Sequence, residues 1–205
     1  MPRLPDTGQA TIRRRGNLEL ALSSPGKIAP KGIYPALQLD DAARWWADLQ
    51  SRDGNGATAL AFQALTASRT GAVRFATWDE IDLEARLWTI QPGRTPSKIL
   101  PAGKPHRVPL TAAMIALLKT VPRMGELVFT APRGGSLSDG PLGKVMRMIH
   151  EADLKRGGAG YVDARIKEQA VPHGNRSCFR VWVTELATFD GDMAEIALAH
   201  TRLFT

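Results

Sequence analysis

Apolar positions recur at helical spacing along most of the chain and give way to short strand-like runs in one central stretch. Asp40 or Asp41 can cap a helix in which Ala42, Trp45, Trp46 and Leu49 share a face. After the breaker Asp53-Gly54-Asn55-Gly56, residues 57–67 read as a second, largely buried helix through Leu60, Ala61, Ala64 and Leu65. Gly71 is expected to stop that helix and leave Arg69 in its exposed last turn. From Trp78 the period changes. Leu87-Trp88-Thr89-Ile90, followed by Pro92-Gly93, predicts a strand and a turn, and His106-Arg107-Val108-Pro109-Leu110 predicts a second strand, with a long Pro- and Gly-rich hairpin tip between them. Helical spacing returns over 111–121, with Met114, Leu117, Leu118 and Val121 on one face. It returns again behind Ser138 and Asp139, through Leu142, Val145, Met146 and Ile149. Residues 157–170 read as a loop. A helix opening at His173 is expected to bury Phe179, Trp182, Val183 and Leu186, and a last one, capped by Asp190 or Asp192, runs through Met193, Ile196 and Ala197 to His200. Helices, a small antiparallel β-sheet and more helices predict an α+β, mainly α-helical domain.

Composition sharpens this picture. With 205 residues, 43% of them hydrophobic, the chain can bury one sizeable core. Residues 1–35 are rich in Pro, Gly, Ser and Arg, include Arg13-Arg14-Arg15, and read as a linker rather than part of that core. Lys and Arg number 27 against 20 Asp and Glu, a net charge of +7 that favours a polyanionic partner through counterion release, nucleic acid first. The single cysteine, Cys178, excludes an internal disulfide framework and a cysteine zinc cluster, and fits a reducing cytoplasm. No apolar run approaches the ~20 residues that span a bilayer, and residues 1–11 carry no signal-peptide core.

Metal and nucleophile chemistry find little support. His106, His150, His173 and His200 are too dispersed for a zinc signature, no close pair of carboxylates suggests a two-metal site, and no phosphate-cradling glycine loop or nucleophile elbow occurs. What remains is a set of cations and imidazoles at element ends. Arg69, in Thr66-Ala67-Ser68-Arg69-Thr70-Gly71, by itself does no more than complement a helix C-terminus. His173 and Arg176, three residues apart at a helix start, share a face on which an anion would also gain from the helix N-terminus, although the same pair reads equally as a solvated polar face. His200, at the end of an apolar stretch, reads alone as a packed helix-end residue.

The order of these signals is more specific than any one of them. Arg69-Thr70-Gly71, a lysine-bearing hairpin that ends in His106-Arg107-Val108-Pro109-Leu110, then His173-Gly174-Asn175-Arg176, then Ala197-Leu198-Ala199-His200 resemble the tyrosine recombinases, specifically the prophage integrases. The resemblance runs from about Gly16 to His200. It includes Gly16-Asn17-Leu18-Glu19 with Pro25-Gly26-Lys27, similar to the tail of that family's core-binding domain, and Thr77-Trp78-Asp79-Glu80-Ile81-Asp82 and Pro132-Arg133-Gly134-Gly135. It implies a catalytic domain over 36–205 behind a remnant of the core-binding domain in 1–35.

The resemblance also implies a chemistry, DNA breakage and rejoining through a 3′-phosphotyrosine. Arg69 and Arg176 are then the planar forks that hold the non-bridging oxygens of the phosphodiester and stabilise the charge of the transition state. His173 moves protons to and from the tyrosine, His200 hydrogen-bonds the phosphate, and a hairpin lysine, Lys98 or alternatively Lys104, protonates the leaving 5′ oxygen. No metal or cofactor is implied, and the implied partners are double-stranded DNA at attachment-type sites and further copies of the chain on that DNA. Two positions depart from the family pattern: Ala72 stands where an acidic residue is common, and Asn175 where an aromatic or aliphatic one is. The nucleophilic tyrosine is expected shortly beyond His200, past Thr205, so the domain is expected to be C-terminally incomplete, binding DNA without cleaving it. A non-catalytic DNA-binding module and a decayed prophage remnant are the alternatives. Tyr34 and Tyr161 lie in the wrong segments to replace the nucleophile.

Overall fold

A computed structural model describes residues 34–93 and 104–187, together with 189 and 191–199. Helix α1 (Ala42–Gln50) follows Asp41 and buries Trp45 and Leu49, as its spacing predicts. Helix α2 (Asn55–Thr66) is the centre of the fold, with Ala57, Ala59, Leu60, Ala61, Phe62 and Gln63 all buried. Besides the short helix that follows it, three helices pack on it: α1, α4 (Ala112–Lys119) and the long α5 (Gly140–Lys155), which presents Leu142, Met146 and Ile149 inward. Thr111 caps α4 by accepting the Met114 N–H at 3.4 Å.

Between α2 and α4 the chain forms the short helix α3 (Thr70–Arg74), a 3-10 turn (Trp78–Glu80) and a three-stranded antiparallel sheet in the order β1 (Ile81–Asp82), β2 (Leu87–Ile90), β3 (His106–Pro109). Trp88 pairs with Ile81 on one side and Val108 on the other, and Ile90 pairs with His106. Alternation along β3 turns Val108 inward and leaves Arg107 and Pro109 exposed. The rings of Phe62, Trp88 and Phe129 meet at centroid distances of 5.1 and 5.5 Å and join sheet to helices. Glu80, buried, accepts from the Trp88 indole and the Thr77 amide and fixes the turn that enters the sheet. Helices α6 (Gly174–Glu185) and α7 (Gly191–Ala197) complete the described fold. No helix of the described residues is long and apolar enough to cross a membrane.

Three expectations are corrected here. Helix α2 does not run on to Gly71: it ends at Thr66, Ala67 adopts the left-handed conformation with φ 48°, and Gly71 lies inside α3. The turn is closed by side chains instead of a glycine, because the Thr66 hydroxyl donates to the Phe62 carbonyl at 2.8 Å and accepts the Ser68 amide at 3.3 Å. The expected buried stripe of α6 is also displaced. Its buried residues are Gly174, Asn175, Arg176 and Val183, whereas Trp182 is 40% and Leu186 67% exposed. The helix enters the core at its first turn and then runs outward, so periodicity gave its apolar face but not where the core stops. Ala194 of α7 and Leu198 just beyond it are buried, while Met193 and Ile196 face solvent.

Candidate functional site

Arg69 is the N-cap residue of α3, with extended backbone, and is half-buried rather than exposed. Arg176, in the first turn of α6, is only 5% exposed. Its Nη1 donates to the Ala67 carbonyl and its Nη2 to the Leu198 carbonyl, both at 2.6 Å, so the guanidinium ties the end of α2 to the end of α7. Both arginines line one void of about 10 Å³, together with Ser68, Ile90, His106 and Leu198. That is roughly the space of a single water. His106, at the start of β3, is partly buried and lies beside the backbone carbonyl of Ala197.

Electrostatics follow from this crowding. Burial pulls the Arg69 pKa down. Burial, and then the charge of Arg69, lower that of Arg176 to about 10, with Glu195 opposing, so the Arg176 guanidinium stays charged at neutral pH. Burial depresses the His106 pKa below the usual 6.5. The Ala197 carbonyl works against that, and the charges of Arg176 and Arg69 add to it. Two like charges therefore share a poorly solvated corner, in which Arg176 donates to two backbone carbonyls.

One buried amide sets the geometry. Gln63, fully buried on α2, donates from Nε2 to the carbonyls of Ser68 and Pro172, each at 3.0 Å, and accepts Nδ2 of Asn175 at 3.0 Å. Ser68 precedes Arg69, Pro172 precedes His173, and Asn175 precedes Arg176. A single side chain thus holds the loop of the first arginine against the helix start of the second. The departure at Asn175 from the family pattern is matched here by a polar partner. Gly174 is required by packing, since a Cβ there would run into the Pro35 carbonyl oxygen and lie 2.8 Å from the Ala36 Cα. The segment 35–37 is itself pinned by the Ala36 amide donating to Asp163 at 2.8 Å.

The sequence-predicted residues therefore divide. Arg69 and Arg176 come together on one void. His173 is the N-cap residue of α6, and its ring lies against Tyr34 with centroids 4.3 Å apart, outside the lining of that void. Lys104 is exposed, two residues before His106. Lys98 and His200 lie outside the described residues. Tyr161 is buried, and this burial, with the bond its hydroxyl donates to Asp48 at 2.7 Å, pushes its pKa well up. Sequence reasoning missed Gln63 and His106. The run Ala59-Leu60-Ala61-Phe62 around Gln63, and the strand alternation that puts His106 on the side of Val108, carried the signals that point to them.

No family model matches the chain. It is 31% identical over 146 residues to the prophage integrase IntZ of Escherichia coli (strain K12), which is 70% of this chain and 32% of that protein. The matches span 30–42% of the length of the curated relatives. Among solved structures, it superposes on the Tn1549 transposon integrase in complex with circular intermediate DNA with a TM-score of 0.64 at 12% identity, over 85% of this chain and 60% of that one. On a lambda integrase dimer bound to a COC′ core site the TM-score is 0.57 at 17% identity, over 85% of this chain and 60% of that one.

Proposed function

We propose, for a chain that is a tyrosine recombinase catalytic-domain-like protein related to the prophage integrases, that Arg69 and Arg176 grip one backbone phosphate of duplex DNA. The observation that carries this reading is the placement of two guanidiniums on one void, each depressed by burial and Arg176 further by its neighbour. Like charges gathered in a poorly solvated corner repel, and an entering phosphate diester relieves that repulsion while matching the planar forks. The net charge of +7 supplies the long-range attraction.

In this reading the domain acts in DNA integration and site-specific recombination, in the cytoplasm, on attachment-type duplex DNA and alongside further copies of itself. His173 serves proton transfer, Lys98 or Lys104 the leaving 5′ oxygen, and His200 a phosphate hydrogen bond. The chain's own tyrosines do not attack: Tyr161 is buried against Asp48, and Tyr34 lies against His173 outside the arginine void.

Fluorescence anisotropy with labelled duplex across a salt series tests the assignment. Arg69→Gln is expected to weaken binding about tenfold and to flatten the slope of log K against log salt by about one. An unchanged affinity and slope would sink it. A detergent-stable covalent DNA adduct formed by this chain would overturn the exclusion of Tyr34 and Tyr161.

A further inference from the structure

The arginine void has a third polar wall that the roles above leave unused. His106 reaches it from β3, opposite Ile90 across the sheet, while Arg69 reaches it from the start of α3 and Arg176 from the first turn of α6. Consecutive carbonyls at the end of α7 close this side of the void: Leu198 accepts from Nη2 of Arg176, and Ala197 lies beside His106. Carbonyls at a helix C-terminus carry partial negative charge. They stand beside the two side chains much as two oxygens of a single anion would.

We propose that His106 is a third donor of the phosphate site, and that a DNA phosphate reaches it by replacing the Ala197 and Leu198 carbonyls. The inference rests on the phosphate reading of Arg69 and Arg176 and adds a residue to it. The void of about 10 Å³ holds at most one water, so a phosphate enters only as the end of α7 withdraws, and that withdrawal uncovers the His106 ring and frees one edge of Arg176 together.

A proton follows from the exchange. In the free protein the charges facing His106 are Arg69 from α3 and Arg176 from α6. Glu195 of α7 acts on Arg176 and pairs with Arg180, and Lys104 and Arg107 lie on the histidine's own strand. Putting an anion where a neutral carbonyl stood offsets the two arginines and favours the imidazolium. DNA binding then takes up a proton at His106, and affinity rises as pH falls between the free and bound pKa values.

The decisive experiment is an NMR titration of the imidazoles of the full chain, alone and with saturating short duplex at low salt. The His106 pKa is expected to move up on binding, with His150, which accepts the Tyr161 amide, as the reference. A His106 titration unmoved by bound duplex overturns the proposal. In parallel, His106→Phe is expected to weaken duplex binding about tenfold, the size of one hydrogen bond to a charged group, and His106→Gln, which keeps an N–H donor, to restore it to within about threefold. Wild-type affinity in the phenylalanine variant overturns the proposal as well. Where that variant does not melt cooperatively, the wild-type titration decides alone. Loss of binding in Arg69→Gln together with an unmoved His106 removes this inference and leaves the phosphate reading standing. Full binding by Arg69→Gln removes both.

Discussion

Replacing Gln63 with methionine keeps the length and volume of the side chain and deletes its amide. The Ser68 carbonyl, the Pro172 carbonyl and the Asn175 amide N–H would each lose a partner at 3.0 Å, in a region where Gln63 itself is fully buried. Leaving one buried polar group unpaired costs about 1–3 kcal/mol, and methionine returns part of that through apolar burial, so a net loss of about 3–4 kcal/mol is expected. For a domain of this size that is a fall in Tm of about 6–16 °C. Urea melts supply the free energy, and anisotropy on the same samples supplies the functional consequence. Affinity for duplex should fall more than the unfolded fraction explains, because the loop of Arg69 and the helix start of Arg176 lose their common tether. The partner variant Asn175→Leu removes one of the three orphaned groups, so Gln63→Met with Asn175→Leu should cost less than the sum of the singles by about 1 kcal/mol. A single variant within about 0.5 kcal/mol of wild type, or an additive double, refutes the reasoning, since surface substitutions fall in that range.

Two further outcomes follow from packing and charge. Gly174→Ala should displace residues 35–37 from the start of α6 and cost about 2 kcal/mol or more, read as a lowered urea midpoint. Asp153, held below the usual carboxylate range chiefly by Arg44, and Asp48, held low chiefly by Arg156, are charged more readily in the folded than in the unfolded chain. Their contribution is fully present above about pH 4 and is lost as pH falls through their lower native values, so thermal melts should drop steeply below pH 4 and Asp153→Asn should flatten that drop.

The helices whose apolar residues lie on one continuous face were legible from spacing alone. Trp45 and Leu49 in α1, Met114 and Leu118 in α4, and Leu142, Met146 and Ile149 in α5 all point inward as expected. Strands β2 and β3 were legible too, since Leu87–Ile90 and His106–Pro109 are the stretches read as extended. Where the reading failed, the deciding force was tertiary. Ala67 takes a left-handed conformation that its residue type does not announce, because Thr66 and Gln63 bind the turn around it, and this moves Arg69 from the end of one helix to the start of the next. Leu186 and Trp182 look like core residues by period, yet α6 has left the core by the time it reaches them. A glutamine in a helix reads as a surface residue until the partners that it binds, 5, 109 and 112 residues away, are known.

The attachment of α6 has a dynamic corollary. Its first turn is anchored by Gln63, by the two carbonyl bonds of Arg176 and by the fit of Gly174 against Pro35, whereas its outer half packs mainly on α7. Domains open in cooperative pieces with different free energies, and a piece held at one end is released before a central helix such as α2. Swinging away α6 and α7 would carry Arg176 off while the Phe62–Trp88–Phe129 aromatic cluster stayed intact. The grip on a phosphate could thus be dismantled and rebuilt without melting the domain, and amide exchange rates along α6 would report that event separately from global unfolding.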